Sequence, residues 1–373
     1  MLIGTIIYFC LGSFLISWSG CQANLVGKDD KTNASASFGK LKTLGPLNTI
    51  RSVHTATRLN DGRVLIAGGM NNAETALDNV EIFDPKTGKF YPAPAMKYPR
   101  VGHSAVLLKD GTVLLAGGYT NRKPSATAEI FDPQTNQFEI TGNLKIARGG
   151  HTATLLDDGR VLVAGSENGE KDAEIYDPKT RKFTATGNLN TGRFAHTATL
   201  LKNGEVLLTG GSGREVTGAA EIFDPQTGAF RNAGQLAVPR YKHSAVLLDD
   251  GSVLVVGGSD DRDWNGQIAS AEIYDVRSGK FKTISEMNVK RFKIATALVK
   301  LPDGRVVVAG GNELIEIFDP KTGKFSGLEE KTGSSNYYTT VTLLDNNRIL
   351  IIDGYDRSIK ANGRAFLLET TQP

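Results

Sequence analysis

The amino-acid sequence predicts an all-β fold: a seven-bladed β-propeller whose ring is closed by a strand from the N-terminal side of the domain. The first observation is a unit of 45 to 51 residues that occurs six times, and a seventh time in degraded form. A period near that length, made of short β-rich runs, is typical of propeller blades with four strands each. The second observation is that the strand missing from the seventh unit is found before the first unit. The six complete units begin at Arg51, Arg100, Arg148, Arg193, Arg240 and Arg291.

The first two strands of a blade are clearest in the third unit, which starts RGGHTATLLDDGRVLVAG. The first strand is His151 to Leu156 and the second is Val161 to Ala164. Asp158-Gly159 between them predicts a type I′ hairpin turn, which needs two positive φ angles. Because both strands are largely apolar, we expect both to be buried between neighbouring blades.

The outer half of the blade follows a loop of variable length. The third strand is Ala173 to Tyr176 and the fourth begins at Phe183. Asp177-Pro178-Lys179-Thr180 between them predicts a β-turn, because proline presets φ at the second turn position.

Two features of the unit resemble the kelch-repeat propellers: a double glycine after the second strand, and two spaced aromatic residues on the third and fourth strands. The third unit departs from this pattern with Gly165-Ser166. The resemblance covers residues 39–370 and implies the propeller fold. It implies no single function, because kelch propellers serve as enzymes and as binding modules. The glycine pairs are Gly68-Gly69, Gly117-Gly118, Gly210-Gly211, Gly257-Gly258 and Gly310-Gly311; the aromatic pairs are Phe83 and Phe90, Phe131 and Phe138, Tyr176 and Phe183, Phe223 and Phe230, Tyr274 and Phe281, Phe318 and Phe325.

The seventh unit, residues 336–369, has three strands and no fourth. Asn336 stands at its arginine position, and Asp353-Gly354 replaces the double glycine. Leu41 and Leu47 precede Arg51 by the intervals that separate corresponding residues from Arg193. We therefore expect residues 39–46 to pair with the last strand, which removes an open sheet edge.

The N-terminal region predicts export. Leu2 to Trp18 is apolar and uncharged, and Ser19-Gly20-Cys21 follows. This resembles a bacterial lipoprotein signal, which implies cleavage before Cys21 and acylation of its thiol. The expected domains are a signal peptide (1–20), a flexible tether after the lipid anchor (21–38) and the propeller (39–373). The expected location is the bacterial cell envelope, on a membrane and facing the periplasm or the surface. The alternative is an uncleaved N-terminal anchor.

Composition narrows the classes of function. The 43 basic and 40 acidic residues are nearly balanced, whereas a nucleic-acid binder would carry a clustered basic excess. The two cysteines, Cys10 and Cys21, both precede the propeller. The domain therefore contains neither a disulfide nor a thiol nucleophile, and we expect a monomer.

One face of the ring is predicted to bind the partner. The Asp-Gly turns and Asp-Pro turns repeat almost unchanged on one face, whereas the loops on the other face differ in length and sequence. Variable loops on a constant scaffold usually carry specificity. Aromatic residues on this variable face could stack on sugars or anchor a protein, although several could instead pack under their own loops. The candidates are Tyr119, Tyr241, Trp264, Tyr337, Tyr338 and Tyr355.

Charged and histidine side chains recur in register with the repeat. The five histidines could form a metal ring, but repeated positions are spread around a propeller, so we expect each to fill a niche between blades. The six arginines and six glutamates are expected to form buried pairs within the fold. The alternative is a positively charged mouth that attracts anions.

One loop resembles the start of a calcium-binding loop. Asp261, Asp263 and Asn265 precede a glycine, and Glu272 follows at the spacing of the full pattern. Hard oxygen ligands at alternate positions suit Ca²⁺. The alternative is a solvated acidic loop, because the flanking segments are strands and Glu272 is also the repeated glutamate. No other cofactor is indicated.

The sequence contains no nucleophile elbow, phosphate loop or zinc signature. We therefore favour a non-catalytic module that binds a protein or a glycan on the variable face. The alternative is a carbohydrate-active enzyme, such as a sugar epimerase or lyase-like protein. An enzyme should gather two carboxylates, or a carboxylate with a histidine or arginine, at the channel mouth, whereas a binding module should show an aromatic patch.

Overall fold

A computed structural model describes residues 38–371, except Asn168 and Asn346. The apolar segment, Cys21 and most of the tether lie outside the described residues, so the signal, the lipid anchor and the location stay predictions. In the described part of the chain, no helix is long and apolar enough to cross a membrane.

The described residues form seven antiparallel sheets of four strands, which are the blades. The strands of blades one to three are β2 (Thr55–Arg58), β3 (Val64–Ala67), β4 (Val80–Asp84) and β5 (Lys89–Ala93); β6 (Ser104–Leu107), β7 (Val113–Ala116), β10 (Ala128–Asp132) and β11 (Gln137–Ile140); β12 (Thr152–Leu155), β13 (Val161–Ala164), β14 (Ala173–Asp177) and β15 (Lys182–Ala185). A two-stranded ribbon, β8 (Tyr119–Thr120) and β9 (Lys123–Pro124), extends from blade two.

Blades four to seven complete the ring. Their strands are β16 (Thr197–Leu200), β17 (Val206–Thr209), β18 (Ala219–Asp224) and β19 (Ala229–Gln235); β20 (Ser244–Leu247), β21 (Val253–Val256), β22 (Ala271–Asp275) and β23 (Lys280–Thr283); β24 (Leu298–Lys300), β25 (Val306–Val308), β26 (Leu314–Asp319) and β27 (Lys324–Lys331); β28 (Thr340–Leu343), β29 (Arg348–Ile352), β30 (Ala365–Thr370) and β1 (Gly39–Thr43). A short 3-10 helix, Asp263–Asn265, lies in the loop of blade five.

The ring closes as the sequence predicts. Strand β1 pairs antiparallel with β30, from Gly39 opposite Thr370 to Thr43 opposite Phe366. Past β1, the Leu47 N–H donates to the Gly363 carbonyl at 3.0 Å. The innermost strand of each blade also contacts the innermost strands of both neighbours, so the seven blades enclose a central channel.

The core lies between blades. One cluster joins Leu65 and Ile82 of blade one to Leu115 and Phe131 of blade two. The paired aromatic rings of the repeat pack at centroid distances of 4.7 to 5.0 Å. The second strands of blades one to six are fully buried, as in Val161–Ala164, but innermost strands such as Thr152–Leu155 are only half-buried. The expectation that both strands are buried was wrong for the innermost strand, because one side of that strand faces the central channel.

The hairpin between the first two strands differs from the predicted type I′ turn. In blade one the Gly62 N–H donates to the Leu59 carbonyl at 3.0 Å, and only the glycine, with φ of 89°, is left-handed. This is a type I turn followed by a glycine bulge, another common hairpin connection. Asp61 stays right-handed because its carboxylate accepts the Arg63 N–H at 3.0 Å.

Candidate functional site

Each of six blades contains a buried arginine–glutamate pair that fixes its loops at the variable face. The N···O distances are 2.6 to 3.0 Å, and every arginine is fully buried. In blade three, Arg148 also donates to the carbonyls of Gly165 and Asp172, both at 3.0 Å. Glu174 accepts the N–H groups of Lys145 and Ile146 at 2.7 and 3.2 Å. The pair therefore joins both loops of its own blade, which confirms the structural interpretation.

Each buried arginine charge is neutralised by its partner glutamate. Burial lowers the pKa of Arg291, and the Glu316 carboxylate opposes that shift. In blade three, for example, the Arg148 guanidinium already has a carboxylate and two carbonyl acceptors. The repeated arginines therefore do not form a positively charged mouth, which was the alternative interpretation.

Blade seven uses a different pair at the same place. Asn336 donates to the Asp353 carboxylate at 2.9 Å, and Arg364 forms an ion pair with it at 2.8 Å. Burial raises the pKa of Asp353 to about 6, and the Arg364 guanidinium opposes that shift. The degraded unit therefore keeps a carboxylate and an arginine at this place but takes them from other sequence positions.

The histidines link neighbouring blades. The Nε2 atom of His151 shares a 3.0 Å hydrogen bond with the Ser104 hydroxyl of the preceding blade. Burial lowers the pKa of His54, His151 and His243 to about 3, and the nearest arginine lowers it further. Burial also lowers the pKa of His103 and His196, so all five rings are neutral and pack between blades. The remaining bonds join His54 to Thr340, His103 to Thr55, His196 to Thr152, and His243 to Thr197 and Thr209.

The mouth of the channel is lined by the residue before each repeated histidine position. All seven have left-handed backbone with φ between 49° and 64°. A left-handed residue other than glycine costs about 1–3 kcal/mol, so the fold imposes this conformation. Backbone hydrogen bonds run from blade to blade here, as from the Lys242 N–H to the Ala195 carbonyl at 2.8 Å. We call this set the mouth ring: Val53, Gly102, Gly150, Ala195, Lys242, Lys293 and Tyr338.

An apolar and aromatic cluster lies at the mouth ring, and its aromatic members come from blades five to seven. The Trp264 ring meets Phe292 and Tyr337 edge to face, at centroid distances of 5.0 and 4.7 Å. Tyr355 continues the stack, 6.0 Å from Tyr337 and 5.7 Å from Tyr338. We call it the mouth cluster: buried Met70, Phe292, Tyr337 and Tyr355, with partly buried Val53, Val101, Trp264, Tyr338 and Ile359.

Two lysines and one aspartate sit beneath this cluster. The Nζ atom of Lys242 lies 2.7 Å from Asp263 Oδ1, and that of Lys293 lies 3.9 Å from Asp263 Oδ2. The Tyr241 hydroxyl donates to Asp263 Oδ1 at 2.7 Å. Lys293 Nζ also lies 4.1 Å from the Trp264 ring centroid, a cation–π arrangement. Lys242 is 3% exposed and Lys293 is fully buried.

The structure brings together four of the six aromatic candidates, namely Trp264, Tyr337, Tyr338 and Tyr355. Tyr241 joins them through Asp263, whereas Tyr119 packs over Gly149 in blade three. Tyr241, Tyr337 and Tyr355 are buried, so for these three the alternative holds and they pack under the loops. Trp264, Tyr338 and Tyr119 are partly exposed and can contact a partner directly.

The four candidate calcium ligands do not converge. Glu272 is fully buried and bound to Arg240 at 2.9 Å, and Asp263 is bound to Lys242. Asp261 and Asn265 are exposed on the loop. Apart from Asn168 and Asn346, residues 38–371 contain no group of three or more His, Cys, Asp or Glu side chains placed to hold a metal ion. Calcium binding stays a prediction that would require the loop to rearrange.

Sequence analysis missed Lys242 and Lys293. Both occupy the position before the repeated histidine, where four other blades have valine, glycine, glycine and alanine. A lysine at a position otherwise held by small or apolar residues is the signal that aligned repeats could have shown. The repeated motif does not mark this position, because the residue there differs from blade to blade.

Comparisons with known families agree with this architecture. A family model described as the KLHDC2/KLHL20/DRC7 Kelch-repeats domain matches residues 10–211, more than half of the chain. A second, described as the Kelch motif, matches residues 240–288. No curated protein sequence matches the chain significantly.

Solved structures share the fold. One similar structure is described as a novel fungal alcohol oxidase with catalytic diversity among the AA5 family, in complex with copper. It is 19% identical, with a TM-score of 0.73, and the match covers 89% of this chain and 76% of that one. At this identity the likeness shows the fold alone.

Proposed function

This chain belongs to the kelch-repeat family of β-propellers, and from that premise we propose that it is a binding module that takes a protein or glycan on its variable face. The observation that carries the proposal is the mouth cluster. Its aromatic residues and the two lysines beneath it come from blades five to seven, whereas the arginines, glutamates and histidines that hold the fold recur in nearly every blade.

The composition of the mouth favours binding over catalysis. Among the described residues, the mouth places one carboxylate, Asp263, beside two lysines and a tyrosine hydroxyl. The repeated arginines and glutamates are committed to one another, and the histidines to neighbouring blades. An aromatic patch with two lysines beneath it suits recognition, because aromatic side chains are enriched at interfaces and supply contact area at low entropic cost.

A second candidate is a carbohydrate-active enzyme. The hydrogen-bonded set of Tyr241, Lys242 and Asp263 favours it, because such groups can exchange protons with a bound sugar. Turnover of a sugar by the wild-type protein that is lost in Tyr241→Phe would support this alternative. The matched control is Tyr91→Phe, which removes a hydroxyl from the outer strand of blade one.

We further propose that the protein is exported and held at a bacterial membrane by a lipid on Cys21. The support is the apolar segment followed by Ser19-Gly20-Cys21. A polar tether would let the propeller reach a partner in the envelope.

Site-specific photo-crosslinking in cells tests the binding face. A photoreactive residue at Asn265, exposed beside the mouth, should crosslink a partner. The same residue at Asn203, exposed on the opposite turn face, is the control and should not. Crosslinks at Asn203 and none at Asn265 would overturn the assignment of the face.

A further inference from the structure

We propose that the mouth binds the carboxylate of a uronate sugar, with Lys242 and Lys293 as its counter-ions and Asp263 as an internal stand-in for the ligand. This inference rests on the proposed function and names the ligand chemistry of the same face. Two ammonium groups approach the Asp263 carboxylate, at 2.7 and 3.9 Å. Because hydrogen bonds from a cation to a carboxylate are stronger than neutral ones, this position stabilises a carboxylate, whether from the chain or from a ligand.

Asp263 is held in a way that suits displacement. It opens a 3-10 turn of three residues, its φ is 49°, and it is 16% exposed while the lysines below are buried. A left-handed aspartate is strained. The turn has no side-chain cap, and it is tied back through Ser259, whose hydroxyl donates to the Asp263 carbonyl. A ligand carboxylate that takes over Lys242 and Lys293 would free the Asp263 side chain and so allow the turn to leave this strained conformation.

The aromatic residues above the lysines favour a sugar over an acidic peptide. Trp264 is partly exposed and lies 4.1 Å from Lys293 Nζ. A uronate carries its carboxylate directly on the ring, so one ligand could stack on aromatic side chains and reach the cations together. A peptide would also need backbone partners. Mouth-ring amides such as those of Ala195, Lys242 and Tyr338 already donate to the preceding blade.

Calorimetric titration of the full chain with an oligogalacturonate tests the inference, with a neutral oligosaccharide of equal length as control ligand. Lys242→Met and Lys293→Met should each weaken binding at least about tenfold, because each removes a buried counter-ion. Lys290→Met, which removes an exposed lysine from the same linker as Lys293, should change affinity less than about twofold. Thermal melting of each variant shows whether it is folded.

If a lysine variant fails to fold, the Asp263→Asn variant still tests the proposal. It removes the competing carboxylate, so uronate should bind more tightly. Weaker binding by Asp263→Asn, no binding by the wild-type chain, or equal binding of the neutral sugar would each overturn the proposal. Preferential binding of a poly-glutamate peptide would also overturn it, in favour of a protein partner. Crosslinking at Asn265 without uronate binding would leave the binding module standing and refute the uronate alone.

Discussion

Removing one glutamate from a buried pair tests the structural account of the repeat. In Glu174→Ala, Arg148 loses its 2.7 Å partner while fully buried, and the N–H groups of Lys145 and Ile146 lose their acceptor. Breaking a buried pair costs about 3–5 kcal/mol, because the remaining charge is uncompensated. The two orphaned amides raise the cost further.

A surface pair between blades two and three is the matched control. Arg181 and Glu139 are separated by 2.8 Å, nearly the same distance, but their side chains are 53% and 62% exposed. Glu139→Ala should therefore cost about 0–1 kcal/mol. Urea unfolding followed by tryptophan fluorescence measures both free energies. A cost for Glu174→Ala within 1 kcal/mol of that for Glu139→Ala would refute the claim that burial makes these pairs structural.

Four further predictions follow from the ends of the chain, the histidines and the acidic loop. Deleting residues 38–46 removes β1 and should lower the free energy of unfolding by several kcal/mol, since its ladder hydrogen bonds to β30 are lost; deleting residues 1–37 alone is the control, and equal melting temperatures would refute the closure. Cys21→Ala should release the protein from the membrane or leave it uncleaved, whereas Cys10→Ala should not; unchanged retention and mass in Cys21→Ala would count against acylation. The folded histidines have lowered pKa values, about 3 for three of them, so the unfolded chain takes up protons first as pH falls below about 6.5. Stability should thus be full above pH 6.5 and fall by up to about 1.4 kcal/mol per pH unit for each histidine between pH 6.5 and 5, and a flat stability profile there would contradict neutral burial. Calorimetric titration of Ca²⁺ into chelator-treated protein should give heat that Asp261→Ala and Asp263→Ala abolish; the absence of heat with the wild-type protein would end the calcium prediction.

The fold could be predicted almost completely because each blade repeats the same physical solution. Periodicity gave the blade count, and the intervals before Arg51 located the closing strand. The turn type was less predictable: Asp-Gly fits two hairpin geometries, and only the Asp61 side chain, which accepts the Arg63 N–H, favours the right-handed one. Half-burial of the innermost strands depends on the channel, which no single repeat encodes.

The candidate site could be predicted only in part. Residues that depart from the repeat were the useful signal, and Trp264, Tyr337, Tyr338 and Tyr355 do meet in one cluster. How far these side chains are buried depends on loops from three blades. Asp263 could not be assigned from local spacing, because Lys242 and Lys293 approach it from the two linkers that lead into blades five and six.

The affinity of the crosslinked partner for a Trp264→Ala variant tests the central claim most directly. Trp264 is a partly exposed aromatic residue of the mouth cluster that packs on Phe292 and Tyr337, and Tyr91, 44% exposed on the outer strand of blade one, is the matched aromatic control. The account predicts that Trp264→Ala, with its melting temperature checked, weakens binding at least about tenfold, as expected of a central aromatic contact, while Tyr91→Ala changes it less than about twofold. Unchanged affinity in Trp264→Ala, or an equal loss in Tyr91→Ala, would contradict a binding site at the mouth.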